Sequence, residues 1–280
     1  MKNMQHSSKL ILVEGIPGSG KTTITGKMEK WYHDNGVPIR LYNEGIANPI
    51  DLAWCAYVPL KQYHELLKKY ESISDRIKER SVVEGDYVVV EYTQVHRGKS
   101  FYDELQNYEL YGGRVSDDRY FEITMSRWRA FGNSSPAELS IIESAFLQNT
   151  VMELLFYRCL DESVIISHAN KLIEYVKDLN PIVIYLSPTD VRKTIQHIAD
   201  ERSSPNGKWI DDMIAYCEKT QYAKRHNITG FDGVITMLEK RKQLERTILN
   251  SLPIRSIIIE NRGNDWDGVW REVVGFIECS

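Results

Sequence analysis

The chain has 280 residues, 42% hydrophobic and 26% charged, too apolar for a disordered polymer and long enough for one large α/β domain or two small ones. Its formal net charge of -4 provides no general basic field, so binding to nucleic acid or to an anionic membrane surface is not expected. The 4 cysteines, Cys55, Cys159, Cys217 and Cys279, lack the short paired spacings of zinc or redox motifs and read as free thiols in a reducing cytoplasm.

The run MKNMQHSSKL is followed by only a short apolar stretch, residues 10–13, where a secretion signal or a spanning helix needs a longer one; neither is expected. That stretch reads as a buried strand. It opens KLILVEGIPGSGKTTITGKMEKWYHDNG, in which Gly15, Gly20, Lys21 and Thr22 fit the spacing G-x-x-x-x-G-K-S/T. Ile24, Met28 and Trp31 then recur at helical spacing until Asn35 and Gly36 end the run. A strand, a glycine loop and a helix in this order make a nest of backbone N–H donors at a helix N-terminus, where partial positive charge meets phosphate. Gly15, Gly18, Ser19, Gly20, Lys21, Thr22 and Thr23 are therefore the expected triphosphate-binding residues. Lys21 would reach the β- and γ-phosphates and the Thr22 hydroxyl would ligate Mg²⁺, so ATP and Mg²⁺ are the expected cofactors.

Residues 37–42 read as a second strand ending at Asn43, Glu44 and Gly45, and active-site residues of parallel sheets sit at such carboxyl ends. An amphipathic helix is predicted over 63–77 and a strand over 87–95. The run 114–131 follows, rich in aromatics and arginines, and is read as part of an insertion covering the site. Its Tyr120, Phe121, Trp128, Phe131, Arg114, Arg119, Arg127 and Arg129 could stack on a base or grip an anion, or simply pack a helix. Arg127 and Arg129, two apart on a helix, cannot face the same point.

A third core strand is predicted over 137–142, ending in Glu143, with an apolar helix over 146–160. Strand 181–186, helix 191–198, the polar loop 200–208, helices 210–224 and 233–249 and strand 255–259 come next. A last helix carries Trp266, Trp270, Val273 and Ile277 on one face. Five short apolar strands separated by helices predict an α/β three-layer fold, a five-stranded parallel sheet covered on both faces. The expected organisation is a single domain over 1–280, with a helical insertion at about 55–137 and a lid at about 190–209.

In this order of parts the chain resembles the P-loop small-molecule kinases, especially the deoxynucleoside kinase and thymidylate kinase group. Asn43 and Glu44, with Trp54 further on, look like that group's Glu-Pro segment and downstream tryptophan, although Gly45 stands where proline is expected. The resemblance implies that Glu44 is the base for an accepting hydroxyl. Residues 142–146 look like the group's acidic motif, with Ser144 in place of its arginine, and imply that Glu143 helps to hold Mg²⁺ through water. The stretch from Asp190 and Arg192 to Glu201 and Arg202 is similar to the mobile lid, whose arginines close over the phosphates. Arg262 or Asn261 falls where such kinases place a loop near the adenine.

The activity so implied is ATP- and Mg²⁺-dependent transfer of the γ-phosphoryl to a nucleoside, nucleotide or similar polar metabolite, in a cytoplasmic protein with no nucleic-acid or membrane partner. Related kinases are often dimers, so a homodimer is compatible with the resemblance. The alternative is a nucleotide-binding NTPase or switch with no small acceptor. A GTPase would need Asn-Lys-x-Asp, and Asn170-Lys171-Leu172-Ile173 lacks the final aspartate. The 7 histidines form no i, i+4 pair, and no glycine-flanked serine suggests a nucleophile elbow.

Overall fold

Five apolar runs pair into one parallel sheet in the computed structural model, which describes residues 8–95, 98–204, 207–261 and 265–279. They are β1 (Leu10–Glu14), β2 (Ile39–Tyr42), β3 (Leu139–Glu143), β4 (Ile182–Pro188) and β5 (Arg255–Asn261), in the order β5-β4-β1-β3-β2. Every residue of β1, β3 and β4 is buried, whereas the outer strands β2 and β5 are partly exposed. That is the pattern of a parallel sheet covered on both faces, and it confirms the α/β class. Val13 of β1 lies level with Glu143 of β3 and Ile184 of β4. Sequence order departs in opposite directions on the two sides of β1, and such a reversal opens a crevice beyond the strand ends.

The contacts divide the chain into two compact units, Met1–Asn43 with Trp128–Ser280, and Glu44–Arg127. In the first, Ile24, Met28 and Tyr32 of helix α1 (Lys21–Asp34) and Val269, Val273 and Ile277 of helix Trp266–Glu278 pack with Ile11, Ile141 and Ile184 of the sheet. The second unit carries more than helices. Its strands Ala56–Pro59, Ser81–Glu84 and Tyr87–Val90 form an antiparallel sheet with Tyr87–Val90 in the middle, packed on helices Leu60–Lys69 and Lys99–Gln106. Helix Asp117–Asn133 runs through the division between the units.

Several elements depart from the sequence expectation. The second strand starts at Ile39 because Pro38 has no N–H to donate to a ladder. The single helix expected over 63–77 is broken into Leu60–Lys69, a 3₁₀ turn Glu71–Ile73 and Ser74–Glu79. The strand expected over 87–95 stops at Val90, and Tyr92–Val95 is helical. The helix expected over 146–160 is a short α-helix, Leu147–Val151, continued as a π-helix, Met152–Tyr157. That over 210–224 is two helices, Trp209–Glu218 and Gln221–His226, the second capped by Thr220, whose Oγ1 accepts the Ala223 N–H at 3.1 Å. Helix Glu162–Val176, with no counterpart in the sequence reading, fills the chain before β4. Among the described residues no helix is long and apolar enough to cross a membrane.

Candidate functional site

Beyond the carboxyl end of β1 the chain turns through the glycine loop into α1. Gly20 is the N-cap of α1 at φ 94° and gives the helix no side-chain cap, and a helix N-terminus of this kind attracts anions. A side chain at Gly20 would place its Cβ 2.1 Å from the Trp266 ring, and one at Gly15 would lie 2.3 Å from the Leu186 carbonyl oxygen. The loop is thus closed in by β4 and by the last helix. Ser19 Oγ is buried within it and makes no hydrogen bond in this structure.

Lys21 is buried and folded back over the loop, its Nζ donating to the carbonyls of Gly15 at 2.9 Å and Ile16 at 3.2 Å. Thr22 Oγ1 donates to Glu143 Oε1 at 2.7 Å, and Thr25 Oγ1 to Glu143 Oε2 at 3.4 Å. Glu143 gets there because β3 is the parallel neighbour of β1 and ends with Glu143 level with Val13, beside the start of the loop. The next residue, Ser144, holds a left-handed φ of 63° and donates its N–H to Val13 O at 3.0 Å. A non-glycine residue held so costs about 1–3 kcal/mol, a strain that collects at functional turns.

These residues fit a nucleotide and its metal. A helix N-terminus and a lysine suit phosphate oxygens, the Thr22 hydroxyl is a hard oxygen of the kind Mg²⁺ takes, and the Glu143 carboxylate beside it suits one of the waters such an ion keeps. Among the described residues no cluster of three His, Cys, Asp or Glu could hold a metal. A Mg²⁺ ion carried by phosphates needs only one or two protein oxygens.

Beneath the loop lies a buried ionic frame that the sequence reading missed. Glu14 accepts the N–H groups of Phe146 at 2.8 Å and Gln148 at 3.1 Å, and burial pushes its carboxyl up to about 8. Arg241, on helix Gly230–Ser251, donates to Gly15 O at 3.0 Å and pairs with Glu245 at 2.8 Å, while Tyr185 Oη donates to Glu245 Oε2 at 2.6 Å. The available signal was positional: Val234, Leu238, Arg241, Glu245 and Ile248 keep helical spacing, so two charges stand on an apolar stripe.

Arg192 pairs with Asp232 at 2.7 Å and its Cζ lies 5.5 Å from the Phe231 ring centroid. Arg202 lies over the Trp209 ring at 5.6 Å, beside a short hairpin, Ser203–Ser204 with Gly207–Lys208, formed where only a loop was expected. Helix Val191–Glu201 itself touches the loop, since a Cβ at Gly18 would lie 1.9 Å from Ile198 Cδ1. Glu44 is exposed, two residues past β2, and opens the second unit. Asn261 is buried at the end of β5, and Arg262 lies outside the described residues.

Packing accounts for most of the aromatic, arginine-bearing run. Tyr120, Trp128 and Phe131 are buried. Arg127 is tied to Glu84 and to the Asn48 carbonyl, whereas Arg129 donates to Tyr175 Oη at 2.8 Å, so the two do face different ways. Arg114 reaches Glu109 at 3.5 Å, and Arg119 pairs with Glu122 at 2.8 Å.

No protein-family model and no curated protein matches the chain. Among solved structures it is similar to a thymidylate kinase from Ehrlichia chaffeensis, at 15% identity and TM-score 0.43 over 97% of this chain and 98% of that one. It is also similar to the YorR protein of Bacillus subtilis in complex with phosphorylated GDP, at 12% identity and TM-score 0.43 over 96% of this chain and 95% of that one.

Proposed function

We propose that the chain is an ATP- and Mg²⁺-dependent phosphotransferase that moves the γ-phosphoryl of ATP to a small acceptor, a nucleoside, nucleotide or similar polar metabolite. The observation that carries the reading is the 2.7 Å hydrogen bond from Thr22 to Glu143 beside Lys21, on a capless helix N-terminus. A phosphate chain laid on this helix end meets N–H donors, an ammonium group and a hydroxyl–carboxylate pair for its metal. Mg²⁺ held through the Thr22 hydroxyl and Glu143 would neutralise phosphate charge, and the loop would hold the reactants in line.

In this reading Lys21 leaves the Gly15 and Ile16 carbonyls for the phosphate oxygens. Arg202 and Arg192 come from the segment after β4 to meet charge developing on the transferred group, Arg192 after giving up Asp232. Glu44 accepts the proton of an attacking hydroxyl; where the acceptor is already a phosphate no base is needed and Glu44 only orients it. The reading is tested by ADP release from ATP and Mg²⁺ across a panel of nucleosides, nucleotides and hydroxylated metabolites. Release that requires an acceptor supports it, and equal release without any acceptor refutes it in favour of a simple NTPase.

A further inference from the structure

Gly15, the first residue of the phosphate loop, has a carbonyl with two cationic donors, Lys21 Nζ at 2.9 Å and Arg241 Nη2 at 3.0 Å. An ammonium that must serve a phosphate cannot also stay on a backbone carbonyl, and a buried carbonyl left without a donor is costly. The second donor resolves the conflict. Arg241 is 2% exposed and comes from a helix more than 200 residues further along the chain, so it reaches the loop only through the tertiary fold.

Its guanidinium is held from several sides. Glu245, one helical turn on and fully buried, pairs with Nε at 2.8 Å and is itself fixed by the Tyr185 hydroxyl of β4 at 2.6 Å. Arg241 Nη2 also reaches Gln148 Oε1 at 3.4 Å, and the Gln148 N–H is bound by Glu14, the residue immediately before the loop. Glu14 takes the Phe146 N–H as well, three residues beyond Glu143. One frame therefore spans both the carbonyl that Lys21 occupies and the segment that carries the metal-side carboxylate.

We infer that Arg241 is a positioning residue of the phosphate site: by holding the Gly15 carbonyl, and being held by Glu245 and Tyr185, it keeps the loop in its receiving shape when Lys21 swings out to phosphate. The inference rests on the phosphotransferase reading only so far as Lys21 binds nucleotide phosphate. Arg241 touches no reactant. Its effect passes through Lys21, so the two residues must be energetically coupled.

A double-mutant cycle tests this on the full chain, with ATP affinity read by calorimetry and folding by thermal melts. The variants are Lys21→Met, the pair Arg241→Met with Glu245→Gln, and all three together. The pair leaves no buried charge unmatched and keeps an acceptor for Tyr185. The pair is expected to lower ATP affinity about tenfold, the effect of one charge-assisted hydrogen bond. Lys21→Met is expected to cost less in the pair's background than in the wild type, since Lys21 there no longer shares Gly15 O with Arg241 and is held on it. Equal costs in both backgrounds would overturn the inference.

Should the pair not melt cooperatively, Arg241→Lys carries the same cycle, keeping the charge opposite Glu245 while removing the second arm of the fork. Absence of ATP binding by the wild type would refute the underlying nucleotide-site reading, a result distinct from additivity in a wild type that binds.

Discussion

Thr22 and Glu143, 121 residues apart, meet in a 2.7 Å hydrogen bond because α1, which carries Thr22, starts just beyond β1, and β3, which ends in Glu143, is the parallel neighbour of β1. The contact joins a hydroxyl fit for direct Mg²⁺ ligation to a carboxylate fit to orient its water. Glu143→Gln keeps the hydrogen bond and removes the charge. It is expected to lower kcat/KM by about 10- to 100-fold and to raise the Mg²⁺ concentration needed for half-maximal rate. A magnesium titration of both proteins checks this; an unchanged magnesium requirement would remove Glu143 from the metal site.

Gly20 and Trp266 form the second test. A methyl at position 20 would stand 2.1 Å from the indole, and the left-handed φ of 94° is already unfavourable for any side chain. Gly20→Ala should therefore lose at least about 1–2 kcal/mol of stability and lose ATP binding, seen as a lower Tm and a flat calorimetric titration. An alanine variant that melts and binds like the wild type would show that the indole does not set the loop's shape.

The central strands were legible in the sequence because a strand covered on both faces must be largely apolar; residues 10–13 and 181–186 are, and 137–142 is apart from Glu138 and Ser140. The loop was legible because phosphate binding constrains each glycine and the Lys-Thr pair locally. What escaped depends on partners far along the chain. Strands Ala56–Pro59 and Ser81–Glu84 are four residues each and are held as partners of Tyr87–Val90. In helix Glu162–Val176 the β-branched run Val164, Ile165 and Ile166 leans toward strand, against the helical spacing of Ile165, Ala169, Leu172, Ile173 and Val176, and its N-terminus has no side-chain cap. Arg241 and Glu245 read as interruptions of an apolar stripe until the fold shows them paired with each other, Gly15 and Tyr185.

Glu14 makes the fold sensitive to pH in the neutral range. Burial raises its carboxyl from an ordinary 4.5 to about 8, against the lowering effect of the Phe146 and Gln148 N–H groups. Between those two values the folded chain holds a proton that the unfolded chain has released, so stability falls as pH rises from about 4.5 to about 8 and levels off above. Glu14→Gln is expected to remove this component. Tm measured against pH for both proteins, compared by their difference, should diverge across that window; parallel profiles would mean that Glu14 is ionised throughout.

His168 acts at the acid end. Burial lowers its pKa to about 4, so the fold holds it neutral while the unfolded chain protonates it below its ordinary 6.5. Stability from this group is complete above 6.5 and is lost as pH falls toward 4. His168→Gln should melt with a shallower loss between those values, and an unchanged acid limb would place the acid sensitivity in other groups.

For Glu44 the expectation depends on the acceptor. With a hydroxyl acceptor Glu44→Gln should lower kcat by about 10²- to 10⁴-fold, the range of general-base catalysis, while ATP affinity stays within about twofold. With a phosphate acceptor kcat should hardly change. A loss of ATP affinity in place of either would assign Glu44 to nucleotide binding instead.

The most direct measurement is transfer of label from γ-³²P-ATP to a small-molecule product, with and without Mg²⁺, in the wild type and in Lys21→Ala. A labelled product is expected that requires an added acceptor and Mg²⁺ and falls at least about 10²-fold in Lys21→Ala, as when a phosphate-binding cation is lost from the transition state. Label recovered only as inorganic phosphate at the same rate with and without acceptors, or a labelled product formed equally by Lys21→Ala, would contradict the phosphotransferase reading.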